Sequence, residues 1–319
     1  MRITLLGKRA SITHWLEKAA EGFAAAGCEV RLAWFRNPTF HPAIDAAMAA
    51  ERFGAPMAGR IAAGVRKWRP RLVLVIGGFQ APTSVLERLR SQKDRPPLVG
   101  WVGDVFGAEA APVAALYDLV AYADSALLAR HGELGFPGEA MWLPHAASAP
   151  IDPAPSGPRG EEIVFIANPT PRRRAILKGL SQSISLYGPS WRPGTEGEAH
   201  LIFPRRIAPR EVTAIYARCV AALNIRNEGN LLDGLNQRNF EPCLAGAAVL
   251  SDDQPDLARC FEPGREVLIW RDGGELDALC RKLRREPDLA ERVGDAGRRR
   301  VLADHGYDKR LEAILARLA

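Results

Sequence analysis

The chain has 319 residues, of which 47% are hydrophobic and 25% are charged. This fraction of hydrophobic residues is sufficient for the cores of two domains. It excludes an intrinsically disordered protein, which would have far fewer apolar residues. The formal net charge is +6: residues 1–150 carry 17 basic and 13 acidic side chains, and the rest carry 26 and 24. Neither part has the dense basic patch of a nucleic-acid binder, so the excess indicates an arginine-rich surface or a preference for anionic ligands or membranes.

The cysteines and apolar runs bear on the compartment. Five cysteines without a C-x-x-C pair favour buried free thiols in a reducing compartment over disulfides or zinc ligands. The apolar part of MRITLLGKRAS is too short for a signal peptide, and no apolar run approaches the roughly 20 residues that span a bilayer. We therefore predict a cytoplasmic protein, with peripheral contact to the inner membrane as an open alternative.

Apolar runs alternate with helix-length segments over residues 1–150. The predicted strands are RITLL, EVRLAW, RLVLVIGG, PLVGWVGD, DLVAYAD and AMWLPH, and a helix is predicted over residues 12–26 with Ser11 as its cap. Runs rich in Val, Leu and Ile are typical of parallel strands that are covered on both faces. This half is predicted to be a Rossmann-like domain with right-handed crossovers.

A proline-rich stretch, residues 143–162, then predicts an interdomain linker. The alternation resumes with the predicted strands EIVFIAN, SISLYG, VAALNI, AAVLSDD and EVLIW. The predicted helices are residues 171–180, 209–218, 235–245 and 275–285, and a helical tail over 287–318 that breaks near His305 and Gly306. The sequence thus predicts an α/β fold of two Rossmann-like doubly wound domains facing a cleft. Their predicted bounds are 1–150 and 151–300, with a C-terminal helix, 301–319, packing back toward the first domain.

Several well-known motifs are missing from the sequence. No G-x-x-x-x-G-K-[ST] is present, and the first strand leads into one glycine rather than G-x-G-x-x-G, which argues against P-loop and dinucleotide sites. The histidines lack metal-ligand spacing, and no G-x-S-x-G elbow occurs, which argues against zinc and serine-hydrolase chemistry. Gly77 and Gly78 after the third strand indicate either a tight turn or a close backbone approach to a ligand.

The stretch DGLNQRNFEPCLAGAAVLSDD, which begins at Asp233, carries the strongest functional signal. Glu241 follows Asp233 by eight residues, so a mostly helical stretch would place both carboxylates on one face. Gly234 and Asn236 lie at the predicted helix start, where free N–H groups suit a diphosphate, and Arg238 adds a planar cation. A carboxylate further along can accept both hydroxyls of a ribose. The alternative is a solvated helix face with ordinary charges.

From about residue 161 onward the sequence resembles the donor domain of glycosyltransferases with the two-domain GT-B fold. The resemblance rests on the ordered run LNIRNEGNLLDGLNQRNFEPCLAGAAVLSDDQPDLARCFEPGREVLIW and on the tail AGRRRVLADHGYDKRLEAIL. It is closest to the bacterial group 1 branch that includes the CgeB-like spore-coat proteins. It implies a nucleotide-sugar donor, a glycan, lipid-linked or protein acceptor, no cofactor and no nucleic-acid partner. The N-terminal half shares only the strand–helix pattern.

The resemblance also implies residue roles. Glu241 corresponds to the glutamate that holds the donor ribose, and Asn236 and Arg238 correspond to residues that face the diphosphate. Asp233 stands where related retaining enzymes have the first glutamate of an E-x7-E pair, which makes this sequence a D-x7-E variant with a shorter side chain. Pro242 replaces a helix former, which predicts a helix that begins near Asn239 or one that bends beside the site.

Other residues are assigned to the donor site by the same resemblance. Arg172 in NPTPRRR can reach phosphate, although a solvated helix start explains the arginines equally. Tyr187 and Gly188 are predicted to line the donor pocket, and Ile207 to contact the nucleobase through its backbone.

The acceptor side needs a base if the reaction inverts, and the leaving diphosphate needs charge stabilisation, which arginines and a helix terminus supply without a metal. Asp104, at the end of the fourth predicted strand, is the candidate base, and a helix-capping aspartate is the alternative. His145 is the second candidate base. The alternative is a histidine in the cleft whose ring is hydrogen-bonded and has no catalytic role. Residues 59–71, GRIAAGVRKWRPR, form a basic amphipathic segment that rests on anionic lipid or in solvent.

The predicted function is a metal-independent, nucleotide-sugar-dependent glycosyltransferase. Two alternatives use the same architecture: a nucleotide-sugar epimerase or hydrolase, and a non-catalytic nucleotide-sugar-binding partner in a glycosylation complex.

Overall fold

The computed structural model describes residues 1–8, 13–36, 51–148, 159–192 and 200–319. The predicted cap Ser11 and half of the predicted linker, residues 149–158, lie outside these residues. Contacts divide the chain into two units. The first consists of Met1–Pro144, Gly229–Leu232 and Tyr307–Ala319, and the second consists of His145–Glu228 and Asp233–Gly306.

The described part of the first unit contains one parallel sheet in the order β2-β1-β3-β4-β5-β6. Its strands are β1 (Arg2–Lys8), β2 (Glu29–Arg36), β3 (Leu72–Ile76), β4 (Leu98–Val102), β5 (Leu119–Tyr122) and β6 (Glu139–Trp142). The helices between them are α1 (Thr13–Ala25), α2 (Glu51–Trp68), α3 (Thr83–Arg90), α4 (Ala111–Ala114) and α5 (Ser125–Glu133). Every residue of β3, β4 and β5 is buried, as their continuous apolar runs predict for a sheet covered on both faces.

Helix α2 shows how the amphipathic segment 59–71 is used. Ala58, Ile61, Ala62 and Val65 recur at helical spacing and are buried in the core of the first unit. The charged side of the helix is exposed, so an anionic membrane would meet arginine and lysine there and not the apolar face. Peripheral membrane contact stays a prediction, now one that depends on charge alone.

The second unit is built in the same way. Its described residues form a parallel sheet in the order β12-β11-β10-β7-β8-β9. The strands are β7 (Ile163–Ile166), β8 (Ser185–Tyr187), β9 (Leu201–Phe203), β10 (Ala221–Asn224), β11 (Ala248–Asp252) and β12 (Leu268–Trp270). The helices are α6 (Pro171–Lys178), α7 (Pro209–Arg218), α8 (Gln237–Leu244), α9 (Leu257–Cys260), α10 (Gly273–Arg285) and α11 (Pro287–Asp304). The sequence did not predict β9, because three residues at a sheet edge give too short an apolar run.

The last helix, α12 (Tyr307–Leu318), belongs to the first unit. The Tyr307 ring packs edge-on against Phe23 of α1 with ring centroids 5.4 Å apart, and a Cβ at Gly22 would overlap that tyrosine ring. Arg310 donates to the Pro144 carbonyl oxygen at 2.8 Å. Helix α12 is therefore part of the core of the first unit.

Helix α8 begins at Gln237, two residues before the late start near Asn239 that Pro242 had suggested, and it contains Pro242 in its interior. Proline lacks an N–H and cannot bond to the carbonyl four residues earlier, that of Arg238, but Ala245 still donates to Glu241 at 3.1 Å. Asp233 precedes the helix. The helical spacing between Asp233 and Glu241 that would place them on one face is consequently absent.

Candidate functional site

The N-terminus of α8 is closed by a reciprocal pair of asparagines. The Asn236 side chain accepts from the Arg238 backbone N–H at 2.8 Å, and the Asn239 side chain accepts from the Asn236 N–H at 3.1 Å. This capping box satisfies N–H groups that a helix start otherwise leaves without partners. The predicted placement of Asn236 at the helix start is confirmed, with Gly234 buried just before it.

A buried amide network connects this helix start to the sheet. Asn224, the last residue of β10, donates to Asn239 at 3.0 Å and accepts from Asn236 at 3.1 Å. Asn239 also donates to the Ser251 hydroxyl in β11 at 2.9 Å. The network holds the start of α8 at the carboxyl ends of β10 and β11, the edge where open α/β sheets bind ligands. Sequence reasoning missed Asn224, Asn239 and Ser251, although the N-x-x-N spacing in α8 signals a capping box.

Arg238 and Glu241 lie half-buried on the first turns of α8. Arg238 donates to the Asn224 side chain at 3.3 Å. Burial lowers the Arg238 pKa, and the negative charges of Glu241 and Asp252 counteract that effect. Burial also raises the pKa of the Tyr216 phenol well above its ordinary value, and Glu241 raises it further while Arg238 lowers it. The charges of Arg238 and Glu241 thus both act on Tyr216, a residue that the sequence did not single out.

Arginines surround the buried carboxylate of Asp252 at the end of β11. Arg172 binds Asp252 at 2.9 Å and Glu228 at 3.0 Å, and the Arg226 backbone N–H donates to Asp252 at 3.2 Å. Arg173 donates to the Ile225 carbonyl, and burial lowers its pKa to about 9 with a further lowering from the charge of Arg238. The predicted phosphate ligand Arg172 therefore shares its charge with two carboxylates. The excess of guanidinium groups over carboxylates suits an anionic ligand.

Tyr187 and Ile207 belong to one apolar cluster that also contains Tyr216. The Tyr187 ring stacks on Phe203 with centroids 4.4 Å apart and planes 7° apart, and its hydroxyl donates to Glu162 at 3.4 Å. Burial raises the Tyr187 pKa to about 12, and the charge of Glu162 adds to that rise. Two residues predicted to line the donor pocket thus lie in one cluster, whose Tyr216 interacts electrostatically with Arg238 and Glu241.

Gly188 follows β8 in a conformation that favours glycine. Its φ is +154°, and a Cβ there would overlap the Ala167 carbonyl oxygen. That oxygen already accepts from the Trp191 indole at 2.6 Å. Glycine is needed at this position for close backbone packing, which is a structural reason for the motif that the sequence assigned to the donor pocket.

Replacing Gly188 by alanine is expected to lower the melting temperature of the second unit by roughly 2–12 °C. The unfavourable backbone conformation costs on the order of 1–3 kcal/mol, and about 1 kcal/mol corresponds to roughly 2–4 °C in a unit of this size. Differential scanning calorimetry measures the shift. Gly273→Ala is the matched control because a Cβ at Gly273 meets nothing within 4 Å. Equal melting temperatures for the two variants would contradict the prediction.

Asp104 lies just beyond β4 in the first unit, and side-chain amides hold both of its carboxylate oxygens. Gln80 donates to Oδ2 at 3.1 Å, and Asn230 donates to Oδ1 at 2.6 Å. The Asn230 carbonyl also accepts from the Val105 N–H at 3.1 Å. The turn that follows, Ala108–Ala110, is preceded by Gly107 and has no side-chain cap, so Asp104 is not the capping aspartate of that turn.

On the prediction that Asp104 is the catalytic base, Asn230→Ala is expected to lower kcat by roughly 10-fold while leaving the donor dissociation constant unchanged. The variant removes one of the two amides that orient the Asp104 carboxylate, and misplacing a catalytic group by a fraction of an ångström lowers the rate without changing donor contacts. Steady-state kinetics and a separate donor titration measure the two quantities. Asn230→Gln, which retains an amide, should restore part of the loss, and a change in donor affinity equal to that in kcat would contradict this role.

The remaining predicted residues have plain structural settings. Gly77 has a φ of +71°, and a Cβ at Gly78 would lie 3.2 Å from the Gly100 backbone, so tight packing accounts for the glycine pair. His145 is buried, with 6% of its surface exposed. Asp233 accepts through its backbone carbonyl from the Asp256 N–H at 3.1 Å. The catalytic and binding roles of His145 and Asp233 stay predictions.

The five cysteines are free thiols; four are buried, and Cys28 is partly exposed. Burial raises the pKa of Cys219 and Cys280 to about 12. Among the described residues, no group of three or more His, Cys, Asp or Glu side chains is arranged to hold a metal ion. No helix in that same part of the chain is long and apolar enough to cross a membrane. Metal independence and cellular location stay predictions.

Two Rossmann-like units, each built on a parallel sheet, together with a C-terminal helix define the GT-B fold. Solved structures share this fold. Anabaena HepE, in complex with UDP and glucose, has a TM-score of 0.70 at 12% identity, over 100% of this chain and 99% of that one. The sucrose-phosphate synthase of Thermosynechococcus elongatus has a TM-score of 0.67 at 14% identity, over 100% and 99%. AviGT4, a glycosyltransferase involved in avilamycin A biosynthesis, has a TM-score of 0.64 at 14% identity, over 99% and 96%.

A family model matches the sequence of the second half. Residues 172–316 match the glycosyl transferase-like family, and this match is similarity over less than half of the chain. No curated protein sequence matches the chain. The narrower assignment to the CgeB-like branch stays a prediction.

Proposed function

We propose that the protein transfers a sugar from a nucleoside-diphosphate sugar to an acceptor hydroxyl and that it does so without a metal ion. The observation that carries the proposal is the start of α8. There a capped helix N-terminus, the cation of Arg238 and the carboxylate of Glu241 lie at the carboxyl edge of a parallel sheet. The match of residues 172–316 to the glycosyl transferase-like family supports the transfer reaction, and the HepE structures with UDP and with UDP-glucose support a donor of this class.

The donor diphosphate lies at the N-terminus of α8. Arg238 and Arg172 neutralise its charge, since guanidinium groups pair with phosphate oxygens and the helix terminus adds a positive dipole end. The buried Asp252 holds Arg172 in place. These fixed charges stabilise the diphosphate as it leaves, which is the role that a divalent cation has in other transferases.

The nucleoside lies further along the same helix. Glu241 accepts hydrogen bonds from both ribose hydroxyls, and the base lies beside the backbone of Ile207, in the cluster with Tyr187. We assign the ribose contact to Glu241, and a role of Asp233, which precedes the helix, in donor binding stays a prediction. On the acceptor side, Asp104 removes the proton from the attacking hydroxyl.

A thermal-shift series with UDP-, GDP-, TDP- and CMP-sugars in the presence of EDTA tests the donor. A ligand that binds only the folded protein raises its stability by RT ln(1 + [L]/Kd), so one nucleoside-diphosphate sugar should raise the melting temperature while the CMP-sugar does not. Absence of a shift with every diphosphate sugar would contradict the proposal. A shift that requires a divalent cation would contradict metal independence.

A product assay with the donor so identified separates transfer from the two alternatives. Turnover of the donor without an acceptor would indicate an epimerase or hydrolase. Binding without turnover across acceptors that carry a free hydroxyl would indicate a non-catalytic partner.

A further inference from the structure

A pocket of about 240 Å³ opens beside Asp104 at the carboxyl ends of β3 and β4. Every residue that lines it belongs to the first unit. Its apolar walls are formed by Phe79, Val102, Val105, Phe106, Ala110 and Val113. Val105 leaves 36% of its surface exposed, which is unusual for a large apolar side chain in this protein. Val102, Phe106 and Ala110 are otherwise buried, and a concave site with apolar walls and a few polar groups is the usual form of a ligand pocket.

The polar side chains of the pocket are already engaged by the protein. Gln80 donates to Asp104, Asp104 also accepts from Asn230, and the Glu109 carboxylate accepts from the Gly107 N–H at 2.9 Å. Most hydroxyls of a sugar ring in this pocket would lose their hydrogen bonds to water and would face apolar walls instead. Each unsatisfied polar group costs about 1–3 kcal/mol, so the walls select against a polyhydroxylated ring.

The size and rigidity of the pocket limit the occupant further. Phe79 packs edge-on against Phe106 with centroids 4.9 Å apart, and Phe106 stacks on Tyr122 at 5.5 Å, so the aromatic wall is anchored in the core of the first unit. An apolar cavity of about 150 Å³ admits benzene. The larger pocket here has room for a substituted six-membered ring.

We propose that this pocket binds the acceptor through an apolar ring that carries the reacting hydroxyl, as in a phenol or an alicyclic alcohol. The inference rests on the proposed function for its chemistry. The hydroxyl lies at Asp104, its oxygen forms the new bond to the anomeric carbon, and its proton passes to the Asp104 carboxylate. The bond between the anomeric carbon and the diphosphate breaks, and the nucleoside diphosphate leaves with that electron pair. The reaction needs no other reactant.

Ligand-observed saturation-transfer NMR on the full chain tests the pocket, with and without UDP present. The probes are 4-methylumbelliferone and cyclohexanol, with glucose and farnesol as the competing chemistries of a sugar and a lipid. Val105→Glu places a charge at the rim, and Val113→Phe occupies the volume, so each should weaken binding of the ring alcohols at least 10-fold. Leu134→Glu is the matched control, because Leu134 is equally exposed on the same unit and does not line the pocket.

The ring alcohols should bind the wild type and the control alike, and glucose and farnesol should not displace them. The proposal is overturned if neither ring alcohol binds with or without UDP, if both pocket variants bind them as the wild type does, or if glucose or farnesol occupies the site instead. Donor binding is measured separately by thermal shift on the same preparations. If the ring alcohols bind and no donor does, the proposed function alone is contradicted. If a donor binds and the ring alcohols do not, this inference alone is contradicted.

Discussion

Replacing Glu241 by alanine should raise the donor dissociation constant by roughly 10- to 100-fold. A hydrogen bond to a charged group contributes about 1.5–3 kcal/mol, and about 1.4 kcal/mol corresponds to a factor of ten in affinity. The helix itself should persist, because the asparagine network fixes its start. Isothermal titration with the donor found in the thermal-shift series measures the change.

Glu291→Ala is the matched control for that experiment, since Glu291 is an exposed glutamate on α11 of the same unit. It should bind the donor as the wild type does. Glu241→Gln should fall between the wild type and the alanine variant, because an amide keeps one acceptor and loses the charge. If Glu241→Ala binds the donor with unchanged affinity and an unchanged melting temperature, the ribose is held elsewhere.

Asp104→Asn should lower kcat by about 100- to 10,000-fold, the range that general base catalysis contributes. Donor affinity should stay unchanged. The substitution conserves shape: the new carbonyl oxygen can accept from Asn230, and Gln80 can rotate its amide to present its own oxygen to the new NH₂ group. Single-turnover kinetics at saturating donor isolates the chemical step.

Asp94→Asn provides the control, because Asp94 is exposed on the same unit and its positive φ of 56° suits asparagine. Normal turnover in Asp104→Asn would remove Asp104 as the base. His145 would then be the next residue to replace, with the same kinetic measurement.

The fold and the start of α8 were predictable because both depend on local patterns. Continuous apolar runs indicated the parallel strands, and the polar residues before Phe240 placed the helix start within two residues of its observed position. Asp233 and Glu241 were expected on one helix face only if the stretch between them is helical, and residues 233–236 are not. Sequence spacing counts turns only where the chain is a helix.

The contacts that complete the site were not predictable from one sequence. Asn230 and Asp104 are separated by 126 residues, and neither has a local motif that indicates the other. Asn224, Asn239 and Ser251 look like ordinary polar residues at strand and helix ends until the sheet brings them together. Long-range pairs of this kind follow from the topology, so they became visible only with the structure.

The discontinuity of the first unit has a consequence for biosynthesis. Its sheet is encoded before residue 145, but Gly229–Leu232 and α12 come later, and they supply the Asn230 amide and the Tyr307 ring. Translation proceeds at about 5–20 residues per second, so roughly ten seconds or more pass between synthesis of the sheet and synthesis of α12, which covers α1. The surface around Gly22 and Phe23 is exposed during that interval, and it is where a nascent-chain chaperone would be expected to bind.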